Sequence, residues 1–316
     1  MTKEMIQLDF WNECRESRCG FCSLIYTRDK GFGVDPNVII SPEDKIKILD
    51  ILIKFVPTID WDVFDKISFQ GGEIMNGLDP ACIPTYTDFL EKLVTFMLED
   101  KLVRIYLITS LKYQFEGSLL EYTLDLFRSY ALTNKVMIGT SYDIKYRFTP
   151  ENEKIWWQNL GKVKRAGASI HCTTVMSQFF IDAYKARDKK LMRLMKVFPD
   201  TGLDLIGAIG DRYYEYQPED FLPKRKDLIS FCLYLMKNRY SLWRRFADQS
   251  GRRATHIYRT LHDSIIWRDL KNHTGDELDI IGPCGHYILC RSYADSDECY
   301  ACDIKALMDM EQGMLE

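Results

Sequence analysis

Six runs of strand length recur along residues 5–238, and each is followed by a segment of helical character. Residues 5–11, 66–70, 103–109, 136–142, 169–176 and 203–209 read as strands: short and apolar, with β-branched or aromatic residues. Residues 41–55, 84–100, 118–131, 151–166, 182–198 and 219–238 read as helices from their apolar spacing. Ser41-Pro42-Glu43-Asp44 opens the first helix, with Ser as N-cap and Pro at the first helical position. Gly167 ends the fourth. Such alternation predicts parallel βαβ units with right-handed crossovers, so the fold class is α/β. In these folds the chemistry gathers at the carboxyl ends of the strands. After residue 238 the rhythm breaks. Residues 1–238 therefore read as the α/β domain, and residues 239–316 as a basic linker followed by a Cys-rich extension.

Composition narrows the setting. The chain has 316 residues, with 46% apolar and 28% charged residues and a net charge of −4, which excludes a disordered or collagen-like polymer. A mildly acidic chain does not coat nucleic acid wholesale, although a local basic groove stays open. The start, Met1-Thr2-Lys3-Glu4, runs into a mixed segment, so no signal peptide is expected. No window approaches the roughly eighteen consecutive apolar residues of a membrane span. A cytoplasmic setting is expected, where clustered Cys means metal or redox chemistry rather than disulfide staples.

Ten Cys are distributed unevenly: three at the start, four at the end, and only Cys82, Cys172 and Cys232 between. The last three sit in apolar strand or helix surroundings and read as packing residues. Cys14, Cys19 and Cys22 follow the first strand within nine residues. Three soft thiolates at one strand end can converge on a 4Fe–4S cluster with one iron left open. A zinc half-site completed by a distant Cys, or plain thiols, are the alternatives. The second strand ends in Ser68-Phe69-Gln70-Gly71-Gly72-Glu73. Two consecutive glycines let the backbone approach a ligand, and Glu73 adds a carboxylate beside it.

Together these two segments resemble the motifs of the radical S-adenosylmethionine (radical SAM) superfamily. Its usual first motif is three Cys spaced by three and then two residues, with an aromatic before the last. Phe21 holds that aromatic place. Four residues, not three, separate Cys14 from Cys19, which requires a bulged loop. The resemblance covers residues 5–235 and implies a partial (β/α)6 barrel. It implies that Cys14, Cys19 and Cys22 hold the 4Fe–4S cluster. Gly71, Gly72 and Glu73 would bind the methionine amino group of SAM. Leu107-Ile108-Thr109-Ser110 is similar to the family's third-strand end. Thr140-Ser141-Tyr142-Asp143 is similar to its fourth-strand Ser-x-Asp, which would place Ser141 or Asp143 near the SAM ribose or carboxylate. The activity implied is reductive cleavage of SAM to a 5′-deoxyadenosyl radical, which abstracts hydrogen from a substrate. The electron would come from a donor such as flavodoxin or ferredoxin.

The last Cys group is Cys284, Cys290, Cys299 and Cys302, the final pair as a CxxC. Four thiolates close a tetrahedral zinc site or hold a fully ligated 4Fe–4S cluster. The segment Gly285 to Cys290 resembles the β-hairpin of the family's auxiliary-cluster domains, called SPASM or twitch. Without the full seven-Cys pattern, one auxiliary centre is implied. That domain type implies a peptide or protein substrate.

Two other features are weighed. Residues 237–271 interleave Arg244, Arg245, Arg252, Arg253 and Arg259 with Trp243, Phe246, Tyr258 and Trp267. A linker packing on the barrel is the plain reading, and a nucleic-acid surface the sharper one. RNA or nucleotide modification is therefore a second enzyme reading, and a zinc-stabilised binding protein the non-enzymatic one. His171, in the fifth strand, is expected to be a satisfied core residue rather than a lining one.

Overall fold

The computed structural model of the chain describes residues 4–10, 39–70, 72–77, 79–145, 147–198, 202–207 and 223–243. Six strands form one sheet in chain order: β1 (Glu4–Asp9), β2 (Phe64–Gln70), β3 (Arg104–Ile108), β4 (Val136–Tyr142), β5 (Ser169–Met176) and β6 (Leu203–Gly207). The sheet is parallel and is not closed into a barrel, as a partial (β/α)6 barrel requires. The helices are α1 (Pro42–Phe55), α2 (Ile83–Leu98), α3 (Leu119–Ser129), α4 (Pro150–Ala166), α5 (Gln178–Lys185), α6 (Lys189–Val197) and α7 (Arg225–Asn238). The chain's contacts divide it into two compact units. One is Met1–Cys172 with Asp211–Gln217, and the other Thr173–Gly210 with Pro218–Glu316.

The helix boundaries follow local chemistry. Each of α1, α3, α4 and α5 starts at a Ser or Thr whose hydroxyl accepts an amide from the first turn: Ser41, Ser118, Thr149 and Ser177. Gly167 closes α4 at φ +90°, a left-handed cap that costs glycine nothing.

The expected single helix over 182–198 is two. Helix α5 begins earlier, at Gln178 behind the Ser177 cap, and ends at Lys185. Arg187 then turns left-handed at φ +51°. Asp188 restarts the chain by accepting the amides of Lys190 and Leu191 on its carboxylate. A short acidic side chain captures free amides more readily than it extends a helix. The expected helix 219–238 starts only at Arg225, because Pro223 and an extended Lys224 precede it. Residues 219–222 lie outside the described residues.

In the first unit the strands turn one face to the helices. Leu8, Ile67, Phe69, Ile105, Leu107, Val136 and Ile138 alternate on that face and are buried. Phe69 meets Phe10 at 4.8 Å and Phe89 of α2 at 5.5 Å between ring centroids. Burying each such ring contributes about 1.5–3 kcal/mol. Further along, Trp156 of α4 donates from Nε1 to Thr140 Oγ1 at 3.1 Å. The Tyr142 hydroxyl donates to Glu153 at 2.7 Å. The second face of these strands carries Gln7, Tyr106, Met137, Gly139 and Ser141, exposed or half-buried, beside a buried Ser68.

The second unit is held by a polar hinge under an aromatic layer. Gln178 accepts the Lys224 amide at 2.6 Å and donates to Asp227 at 3.0 Å. Lys185 pairs with the same carboxylate at 2.7 Å and holds it below its ordinary pKa. Phe180 and Tyr184 meet Phe231 edge-on.

The break between α5 and α6 makes a signed prediction. Arg187→Gly should stabilise the chain by about 1 kcal/mol, because it relieves a left-handed non-glycine residue. Asp188→Ala should destabilise it by about 1 kcal/mol through loss of the cap. Urea unfolding midpoints check both signs; a continuous helix would make the glycine variant the less stable one.

Candidate functional site

The site is assembled by the pairing of β1 with β2. Their register runs from Met5 opposite Lys66 to Asp9 opposite Gln70. Both strands thus end at the same level of the same sheet edge. Phe10, the next residue on β1, is buried between Phe69 and Phe89, which fixes where the chain leaves the sheet. In sequence, the Cys14–Cys22 segment follows β1 and Gly71-Gly72-Glu73 follows β2. Cys14, Cys19, Phe21, Cys22 and Gly71 themselves lie outside the described residues, as do Cys284, Cys290, Cys299 and Cys302.

Glu73 is the best-defined member of the motif. The residue is half-buried, with its carboxylate enclosed by donors. One oxygen accepts the Thr109 hydroxyl at 2.8 Å and the Met75 amide at 3.2 Å. The other accepts the Ser110 amide at 2.5 Å. Burial pushes the carboxyl above its ordinary pKa, and the donors from Ser110, Thr109 and Met75 oppose that shift.

Two of these donors, Thr109 and Ser110, sit on the loop leaving β3, and that loop is over-determined. Leu111 holds φ +55°, a strained conformation for a branched side chain, costing of order 1–3 kcal/mol. Thr109 Oγ1 faces the Leu111 amide at 3.4 Å and the Tyr113 hydroxyl at 2.8 Å. From α4, the buried Asn159 donates to the carbonyls of Leu111 and Tyr113 at 3.1 and 2.7 Å. Sequence reasoning missed Asn159. Its signal was a polar residue on the apolar stripe Trp156, Leu160 and Val163, where a buried amide must have partners.

The fourth-strand residues part company. Ser141 is half-buried on the second face of the sheet, in line with Gly139 and Met137. Asp143 is 3% exposed and accepts the Lys145 amide at 2.9 Å, so part of its carboxylate shapes the turn after β4. Gly139 lies under the tip of Ile108: a Cβ there would stand 2.6 Å from Ile108 Cδ1. Ile108 is 42% exposed on that face. His171 is half-buried and alternates with the buried Cys172 and Thr174 of β5. It is thus on the second face and not in the core, contrary to expectation. Cys82, Cys172 and Cys232 are buried, as packing residues should be. Among the described residues no three His, Cys, Asp or Glu side chains gather as a metal site. Among them too, no helix is long and apolar enough to cross a membrane.

No protein-family model and no curated protein matches the chain. Solved structures do. A polyhistidine-tagged anSMEcpe with bound AdoMet (SAM) is 16% identical at a TM-score of 0.50, covering 74% of this chain and 57% of that one. Native anSMEcpe with bound AdoMet is 14% identical at 0.48, covering 75% and 61%. The same enzyme with AdoMet and the Cp18Cys peptide is 14% identical at 0.48, covering 75% and 59%. The chain thus spans less than two thirds of these proteins. All three are forms of anSMEcpe with AdoMet bound. Over 74% of its length, this chain shares the fold of anSMEcpe, solved with AdoMet bound.

Proposed function

We propose that the chain is a radical SAM enzyme that modifies a peptide or protein. The observation that carries this reading is the in-register pairing of β1 and β2, from Met5 opposite Lys66 to Asp9 opposite Gln70. In sequence, the three-Cys segment follows β1 and the Gly-Gly-Glu motif follows β2. Cys14, Cys19 and Cys22 would hold a 4Fe–4S cluster, a donor set suited to it in softness and number. The reduced cluster, when bound, supplies the electron that cleaves SAM to methionine and a 5′-deoxyadenosyl radical. The chain's own part is to bind, orient and shield. Phe21, Gly71, Gly72, Ser141 and Asp143 are the proposed contacts to SAM.

The remaining assignments follow the same reading. Cys284, Cys290, Cys299 and Cys302 would hold a second centre, either 4Fe–4S or zinc. Their resemblance to an auxiliary-cluster domain is what supports a peptide or protein as substrate, and that step is analogy. A flavodoxin or ferredoxin would deliver the electron.

Anaerobic reconstitution with iron and sulfide should give a brown protein absorbing near ~400 nm, the thiolate–iron band expected of such ligation. With dithionite and SAM it should release 5′-deoxyadenosine. Cys19→Ala should lose that release while Cys172→Ala keeps it. A colourless, zinc-loaded chain would sink the enzyme reading. Hydrogen abstraction from RNA but from no peptide would move the substrate to nucleic acid. Cys302→Ala should lower iron content by up to one cluster if the last four Cys hold iron, and lower zinc content otherwise.

A further inference from the structure

We propose that Glu73 is a positioning residue: its carboxylate clamps the Gly-Gly-Glu turn to the Thr109–Leu111 loop. The SAM ammonium is then recognised by groups other than this carboxylate. This rests on the radical SAM reading of the site and changes the role of one motif residue within it.

The argument is one of acceptor capacity. A carboxylate offers about four lone-pair sites. Thr109 Oγ1 and the Met75 amide occupy one oxygen, the Ser110 amide bonds the other at 2.5 Å, and the Ser110 side chain also bonds the carboxylate, so all four sites are taken. To turn toward a ligand, Glu73 would have to abandon donors on Thr109 and Ser110, which are 4% and 6% exposed. Buried donors left without acceptors are unfavourable, so the internal arrangement holds. The clamp also explains why the loop tolerates Leu111 at φ +55°. The Leu111 carbonyl accepts from Asn159, which also bonds the Tyr113 carbonyl, and the Leu111 amide faces Thr109, which Glu73 anchors. Thr109 is thereby the second half of the clamp. Tyr113, whose hydroxyl meets Thr109 at 2.8 Å, supports it.

Thr109 separates the two roles of Glu73, because it bonds the carboxylate and has no charge to offer an ammonium group. In the reconstituted protein, equilibrium dialysis with SAM should show Thr109→Val weakening binding about tenfold, the loss typical of a supporting residue behind a ligand-binding one. Thr109→Ser keeps the hydroxyl and should stay within about twofold of wild type. Glu73→Ala should weaken binding by a similar factor to Thr109→Val. The double variant should be no worse than the weaker single one, as residues acting as one unit are non-additive. Unchanged binding in Thr109→Val with binding lost in Glu73→Ala would overturn the proposal in favour of direct contact.

A second readout needs no cofactor. In the iron-free chain the Ser110 amide should exchange slowly with solvent and markedly faster in Glu73→Ala. Equal rates would overturn the clamp. A wild type that binds no SAM after reconstitution would sink the radical SAM reading, while the exchange rates would still decide whether the clamp exists.

Discussion

The register of β1 on β2 is the constraint from which the rest of the site follows. Parallel neighbours cannot slip by one residue without turning Leu8 or Phe69 away from the buried face. That apolar penalty fixes where both strands stop. The departure points of two chemically unlike segments, one rich in thiol and one in glycine, are therefore set by packing on the far side of the sheet. Phe10 strengthens the effect, since its ring is wedged between Phe69 and Phe89 just as the chain leaves β1.

The loop after β3 works differently. It contains no metal ligand and no motif strong enough to identify it, yet it gathers a strained backbone, a buried amide and a buried hydroxyl around one carboxylate. Low local dielectric makes such a network stiff when every member is satisfied. Its polar groups come from β3, from the turn after β2 and from α4, so three separate stretches of chain must be folded before it exists. The rim of the sheet is thereby coupled to the helix layer beneath it.

Much of this was legible in the sequence. The six strands were placed closely, because apolar runs bounded by Gly or polar turns admit few alternatives. Ser41 and Gly167 announced their caps by residue type alone. The break at Arg187 was not legible, because Tyr184, Leu191 and Leu194 keep a roughly helical apolar rhythm across it while the backbone does not. Asn159 and Thr109 were harder still. Their importance lies in partners 46 to 48 residues away for Asn159 and 36 for Thr109, and no local pattern encodes such distances. Glu73 was found for its motif, but the direction its carboxylate takes is a tertiary fact.

The glycine in β4 has a consequence of its own. Gly139 leaves just the space into which Ile108 leans, so the two residues share one parcel of volume on the second face of the sheet. Any larger residue at 139 evicts the isoleucine tip rather than distorting the backbone, because that tip is flexible and already 42% exposed. The pair is therefore a size gauge. Sequences that differ at these two positions alone would present differently contoured floors while keeping the same scaffold.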